Sequence, residues 1–291
     1  MRKLAAWAAV VMLAAAPALA QRTVDESRPL SPTGRVEVSN VEGSVKVIGW
    51  GNAEVEITGT LGPDVEKLEI TGDESLLRIE VKAPDHEKRL ETDLVLRVPE
   101  GAGIEVETVS ATIEVEGLTG TVDLESVSGW VKTAGRPAEL SIETVSGDLT
   151  VAESAPRTDL ASVSGSITVD LATGRLEAES VSGAIRVEDG SLEGASFETV
   201  SGDISYAGDI VGRGSYEIES MSGGVTLLVP PSVSADFDIS TFSGNIDNEI
   251  GPKARETSKY TPEKELSFST GSGGARVSLE SFSGSIKIKT R

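Results

Sequence analysis

The residues with the clearest chemical potential are glutamates that recur at one position of an internal repeat. Each stands three residues before the serine of a Ser-Gly motif: Glu107, Glu125, Glu143, Glu179, Glu198, Glu219 and Glu280. Ala161 and Ser240 interrupt this Glu column. Carboxylate oxygens in a row suit Ca²⁺ or Mg²⁺ and attract a basic partner. They can equally form a solvated face that discourages edge-to-edge association. Both interpretations stay open.

Catalytic chemistry has less support. Asp148 and Asp203 could act as a paired acid and base, as in carbohydrate-active β-helix enzymes. The single histidine, His86, stands in a charged loop, where a solvated side chain is expected. The chain has no Gly-x-Ser-x-Gly elbow, Ser-x-x-Lys pair, zinc-ligand spacing or calcium-binding loop motif. We therefore expect no enzyme activity and no cofactor.

Two loops concentrate positive charge on an otherwise acidic chain. One spans residues 85–89, and the other spans residues 253–264. Insertions on one side of a solenoid often form its binding face, so the second loop is a candidate partner contact. Its candidate residues are Lys253, Arg255, Lys259, Tyr260 and Lys264. The alternative is a merely solvated loop. Trp130 is either an exposed anchor or a packed cap.

The glutamates belong to a repeat that runs through most of the chain. Its nine equivalent serines are Ser110, Ser128, Ser146, Ser164, Ser182, Ser201, Ser222, Ser243 and Ser283. A glycine follows in eight copies: Gly129, Gly147, Gly165, Gly183, Gly202, Gly223, Gly244 and Gly284. The steps are 18 to 21 residues long except for the last, of 40. A fixed period in this range predicts a solenoid of stacked coils.

Within each copy, the apolar positions predict two short strands joined by a corner. The residues four before and three after the serine are apolar in all nine copies, and their period-2 patterns disagree in parity. The chain must therefore bend between them, and the glycine supplies the backbone freedom. The apolar residue just before the serine, from Val109 to Phe282, is predicted to fill this corner. The Ser or Thr before it is predicted to hydrogen-bond between coils.

The pattern also divides the chain. Residues 36–103 are irregular, with a degenerate first coil and strands near 53–59, 67–72, 75–82 and 93–98 that form wider coils or hairpins. Further predicted segments are a signal peptide at 1–20, a linker at 21–35, regular repeats at 104–250, a loop insertion at 251–265 and a terminal coil at 266–291.

The first twenty residues predict export. A positive start at Arg2 and Lys3, an uncharged apolar run and a small-x-small site ending at Ala20 are typical of a signal peptide. The chain has no cysteine, hence neither disulfides nor a lipidation site at that residue type. Without the signal peptide, the chain has 24 basic and 47 acidic residues, which gives a formal charge of −23. Such a surface disfavours nucleic acid and anionic lipid, and no membrane insertion is expected after cleavage.

The reiterated Thr/Ser-Val-Ser-Gly-x-Ile-x-Val unit, from about residue 36 to the end, resembles the bacterial DUF4097 family of predicted adhesins. The resemblance implies an all-β fold, a right-handed parallel β-helix with coils of about 18–21 residues. It also implies an adhesin-like role and brings no catalytic residue. We therefore expect an exported, non-enzymatic β-solenoid that contacts an envelope protein or glycan in the periplasm or outside the cell. The alternatives are a carbohydrate-active enzyme and a cation-responsive scaffold that uses the Glu column.

Overall fold

The fold was analysed in a computed structural model, which describes residues 22–84, 89–256 and 262–291. The described residues form strands β1 (Arg22–Pro29), β2 (Arg35–Trp50), β3 (Glu54–Leu61), β4 (Lys67–Gly72), β5 (Leu76–Lys82), β6 (Thr92–Pro99), β7 (Gly103–Glu116), β8 (Thr121–Ser126), β9 (Val131–Ala134), β10 (Glu139–Thr144), β11 (Leu149–Glu153), β12 (Arg157–Ser162), β13 (Ile167–Ser180), β14 (Ile185–Thr199), β15 (Ile204–Ser220), β16 (Val225–Val229), β17 (Ala235–Thr241), β18 (Ile246–Asn248), β19 (Arg255–Glu256), β20 (Lys264–Ser269), β21 (Ala275–Ser281) and β22 (Ile286–Thr290). The prediction of an all-β fold is confirmed. In these ranges no helix is long and apolar enough to cross a membrane.

Each coil contributes one strand before its Ser-Gly corner and one after it. Ile142 in β10 pairs in parallel with Leu124 of the preceding coil and Leu160 of the following one, an offset of 18 residues on each side. After the corner, Leu149 pairs with Val131 and Ile167 in the same way. The apolar residues four before the serine are buried in all nine copies. Stacked coils therefore share one continuous apolar core.

The coils at the C-terminal end are not stacked in chain order. The last coil in sequence, β21 and β22, pairs with β15 and β16 on one side and with β17 and β18 on the other. The coil around Ser283 thus lies between those around Ser222 and Ser243, and the predicted terminal coil is not terminal in the stack. Antiparallel β20 then covers β17 at the end of the stack. The predicted loop insertion contains β19 and the first residues of β20.

The N-terminal end shows a similar exchange of order. Strand β2 contributes the first coil in sequence, yet it lies inside the stack between β7 on one side and β5 and β6 on the other. Antiparallel β4 extends β5, and antiparallel β3 and β1 extend β6. Most of the segment predicted as a linker is therefore strand β1, because its backbone pairs with β3 over residues 22–29.

Candidate functional site

A long open groove of about 1150 Å³ follows the stack on one side of the Ser-Gly corners. Three columns of side chains line it, each with one residue per coil: the Glu column, a column of Ser and Thr, and an apolar column. Asn40 lies at one end, and Phe242 and Phe282 lie at the other. The groove spans nine coils, or about 38 Å at the usual spacing of about 4.8 Å between paired strands.

The apolar column forms an exposed ladder. Its members are Val109, Val127, Val145, Val163, Val181, Val200, Met221, Phe282 and Phe242, in order along the stack, and each is 44–58% exposed. The prediction that these residues fill the corner is wrong. The Ser or Thr beside each of them points inward and is buried, so the ladder residue points outward with the glutamate two positions earlier.

The ladder residues are aromatic in the two coils at the C-terminal end of the stack, those of Ser283 and Ser243. Phe242 and Phe282 stand 40 residues apart in the chain, yet their rings stack with centroids 4.9 Å apart and planes at 10°. The coil of Ser283 brings them together because it is inserted beside that of Ser243. Stacked rings of this kind contribute about 0.5–1.5 kcal/mol beyond the area they bury.

The groove's floor is formed by buried hydroxyl groups that hold the corner. Within one coil, the amide of Gly183 donates to Ser180 Oγ at 2.8 Å, and six other copies repeat this bond between the same two positions. The hydroxyls thus accept a hydrogen bond within their own corner, and several also donate between coils, as predicted. The hydroxyl of Thr108 donates to that of Ser126 at 3.0 Å. Four others donate to a glycine carbonyl of the neighbouring coil at 3.2–3.4 Å: Thr199, Ser220, Thr241 and Ser281.

The motif glycines are needed for space more than for backbone freedom. Only Gly129 among the eight has a φ in the left-handed region, +140°. At Gly183, a Cβ atom would overlap the carbonyl oxygen of Gly165 in the neighbouring coil, and the same overlap recurs along the stack. The carbonyl of one corner occupies the position that a side chain would need in the next.

The Glu column faces outward, as its parity predicts. Six of the seven glutamates are exposed and Glu219 is half-buried, and adjacent coils place them in direct register, as in Glu107, Glu125 and Glu143. None of the seven forms an ion pair with any described residue. Acidic side chains elsewhere do: Lys46 Nζ, for example, lies 3.0 Å from Glu114 Oε2. Within the described ranges, no ion pair compensates the negative charge that these glutamates bring to the groove.

Partial burial and the neighbouring charges together raise the pKa of two carboxyl groups in the column. Partial burial raises the pKa of Glu125, and the charges of Glu107 and Glu143 raise it further. Glu219 is shifted in the same direction by partial burial and by Glu280, with smaller effects from Glu217 and Glu198. A carboxyl group with a raised pKa binds its proton more tightly in the folded chain than in the unfolded one. Its ionised form therefore destabilises the fold, and this cost is relieved as the pH falls through the raised pKa.

Glu125→Gln is accordingly expected to stabilise the protein at pH 7. Like charges on facing strands cost about 0.2–1 kcal/mol, so the melting temperature should rise by about 1–3 °C. The gain should shrink as the pH is lowered to about 4, where the wild-type carboxyl group is protonated. Thermal melts from pH 4 to 8 measure this. Glu114→Gln is the control, because it removes one of the two carboxylate partners of Lys46 and should not stabilise. An equal gain from Glu125→Gln at every pH would contradict the expectation.

The described residues contain no cluster of three or more acidic or histidine side chains arranged to hold a metal ion. Consecutive members of the column lie one per strand, so each coil offers at most one carboxylate of this column to the groove. Hard cations such as Ca²⁺ usually take six to eight oxygen ligands.

The proposed acid and base pair is divided between distant coils. Asp148 Oδ1 accepts a hydrogen bond from the amide of Ser166 at 2.9 Å, and Asp203 Oδ1 accepts one from that of Gly224 at 2.7 Å. Three coil steps separate the two aspartates, which is about 14 Å at the usual strand spacing. The carboxyl pairs of glycosidases are at most about 9.5 Å apart.

The basic loop residues are spread out. Lys253 and Arg255 are exposed, and Lys264 Nζ donates to the carbonyl of Gly244 at 3.2 Å near the aromatic end of the groove. Lys259 and Tyr260 lie outside the described residues, as does His86. Trp130 is 47% exposed. This exposure favours the prediction of an exposed anchor over that of a packed cap.

A family comparison identifies the chain. The family model Toastrack DUF4097 matches residues 27–289. The chain belongs to the Toastrack DUF4097 family. No curated protein matches it. The predicted resemblance is thereby confirmed over nearly the whole of the described chain.

Solved structures of low sequence identity are also similar to this Toastrack chain. A "putative adhesin" from Bacteroides fragilis NCTC 9343 is 14% identical with a TM-score of 0.45, covering 93% of this chain and 98% of its own. A "putative lipid binding protein" from Parabacteroides distasonis ATCC 8503 is 14% identical with a TM-score of 0.45, covering 92% and 96%. A "putative adhesin" from the same organism is 15% identical with a TM-score of 0.42, covering 93% and 97%.

The apolar ladder is the feature that sequence reasoning placed incorrectly, although a signal for it exists. The residue before the serine is apolar in all nine copies and stands an odd number of positions from the buried one four before the serine. Strand alternation alone therefore assigns it to the outward face. The predicted bend led to the opposite assignment, because it was placed before this residue. In the structure, the alternation of buried and exposed residues continues up to the residue before the serine and changes at the serine itself.

Proposed function

We propose that this protein is an exported, non-enzymatic interaction or scaffold protein of the cell envelope, adhesin-like in role, and that the groove is its contact surface. The observation that carries the proposal is the apolar ladder, a row of nine side chains that remain 44–58% exposed. Large contiguous apolar surfaces on proteins mark sites of interaction. The repeat places one rung on each coil, so the length of the contact follows from the number of coils.

Two finer features belong to the same proposal. The coils of 18–21 residues wind in a right-handed sense, as parallel crossover connections nearly always do. The chain is exported by the signal peptide at residues 1–20 and works in the periplasm or outside the cell. The names of similar structures, two adhesins and one lipid-binding protein, agree with an envelope role.

The alternatives rest on weaker observations. A carbohydrate-active enzyme needs an acid and a base at one bond, whereas Asp148 and Asp203 accept backbone hydrogen bonds in coils three steps apart. A cation-responsive scaffold needs several carboxylates around one ion, whereas the Glu column offers one per coil.

Site-specific crosslinking in the native cell tests the proposal. A photoreactive phenylalanine analogue at Val163, in the middle of the ladder, is expected to give a discrete adduct. The same analogue at Asp170, which is exposed outside the groove, should give none. The adduct should be recovered from the periplasmic or extracellular fraction. Equal labelling from both positions, or none from Val163, would contradict the groove as the contact; a cytoplasmic adduct would contradict export.

A further inference from the structure

The groove has two parallel rows of outward side chains with opposite chemical character. In seven of the nine copies a glutamate stands two positions before the ladder residue, as Glu143 stands before Val145. Two residues of strand span about 7 Å, so the acidic row and the apolar row run side by side at about that separation. A ligand that satisfies both rows must be basic along one edge and apolar along the other.

No described basic side chain forms an ion pair with the acidic row. Some outward acids elsewhere on the described surface are paired: Glu105 with Arg35, Glu153 with Arg136, and Asp209 with Arg291. The glutamates of the column have no such partner among the described residues, and partial burial together with like-charged neighbours raises the pKa of Glu125 and Glu219. Positive charges supplied from outside would relieve this repulsion, whereas an acidic or anionic ligand would add to it.

We propose that the groove binds an extended polypeptide segment in which basic and apolar side chains alternate, lying along the axis of the stack. Successive side chains of an extended chain point to opposite sides, so one set faces the Glu column and the other faces the apolar ladder. A groove of about 38 Å accommodates about 11 or 12 extended residues. This inference rests on the proposed function, since it assigns an occupant to the same groove.

A second copy of this chain does not fit that description. Its surface is strongly acidic, with a formal charge of −21 for the whole sequence, and it presents a like-charged groove. A bare acyl chain would contact the ladder and leave the Glu column uncompensated. The basic partner is therefore the one that uses both rows.

Fluorescence anisotropy with residues 21–291 and a labelled twelve-residue peptide of alternating lysine and valine tests the inference. Binding is expected at low salt, weakening as salt screens the charges. The triple variant Glu125→Gln, Glu143→Gln, Glu179→Gln should bind at least ten-fold more weakly. A peptide of alternating lysine and serine should also bind at least ten-fold more weakly, because it lacks the apolar edge.

Two further variants separate groove binding from general attraction. Replacing Val145, Val163 and Val181 by serine removes three rungs at exposed positions and should also weaken binding at least ten-fold, with an unchanged melting temperature.

The matched control is Asp170→Asn, Glu188→Gln, Glu193→Gln, which removes three exposed charges outside the groove and should retain affinity.

Equal weakening by the control, equal binding of the lysine–serine peptide, or no binding of the lysine–valine peptide would overturn the inference. Binding of cellohexaose or laurate in place of the peptide would overturn it as well, by assigning the groove to a glycan or an acyl chain. If the Val163 crosslink still forms while the peptide fails, the contact surface stands and only the class of occupant is wrong. If the crosslink also fails, the proposed function fails with it.

Discussion

Removing residues 275–291 is expected to unfold a part of the protein that remains in the truncated chain. This segment forms β21 and β22, which lie between two other coils and pair with both. Its fully buried side chains include Val277, Leu279, Ile286 and Ile288. At about 1.5 kcal/mol or more each, their loss costs at least about 6 kcal/mol. The coil of β17 and β18 loses its only parallel neighbour among the described strands.

Hydrogen exchange on the truncated chain measures the effect. If coils were stacked in chain order, the truncation would remove an end and leave residues 235–248 protected. The inserted order requires that these residues lose protection, and that a synthetic peptide of residues 274–291 restores it. Deleting only Thr290 and Arg291 is the control, because it leaves both strand pairings largely intact. Retained protection of residues 235–248 would contradict the inserted order.

Gly183→Ala is expected to be strongly destabilising. The added Cβ would overlap the carbonyl oxygen of Gly165, a backbone atom held by parallel pairing on both sides of its coil. Relief requires the coils to separate locally, which weakens the corner bond between them from the amide of Ser182 to the carbonyl of Val163. Forcing extra volume into a packed site costs about 1–3 kcal/mol, and backbone overlap places this site at the upper end.

Thermal melts of Gly183→Ala and Gly51→Ala test this expectation. At about 3 kcal/mol, the first variant should lose roughly 6–12 °C in melting temperature. Gly51 is the matched control, because an added Cβ there meets no atom within 4 Å and its φ is not in the left-handed region. Its substitution should change stability by less than about 0.5 kcal/mol. Similar losses in both variants would show that the corner glycines do not act through space.

The charge and the apolar surface of the groove come from different positions of the repeat. The Glu column places like charges in register, whereas the apolar ladder exposes apolar surface. The corner hydroxyls and glycines hold both rows in register, as at Ser180 and Gly183. A solenoid therefore turns one local sequence rule into a continuous surface, because seven of the nine repeat copies carry the same outward pair.

The strands of each coil, the bend between them and the outward direction of the Glu column were determined by the sequence itself. Alternation at Ile142 and Leu149 predicted two strands per coil with a bend between them, because strand parity is a local property that nearby residues reveal. The outward Glu column followed from the same parity. Repetition of the unit and its length predicted stacking, since a coil cannot bury its apolar face alone.

Only the tertiary structure decided the order of the coils and the exposure of the ladder. Repeats with nearly identical edges can pair with one another in several orders, so the local pattern around Ser243 and Ser283 does not say which coil lies outside. The distance between Phe242 and Phe282 follows from that non-local choice. The ladder's exposure depends on where the parity changes within the corner. Likewise, the lack of a described cationic partner for the Glu column depends on where distant basic residues lie in the folded chain.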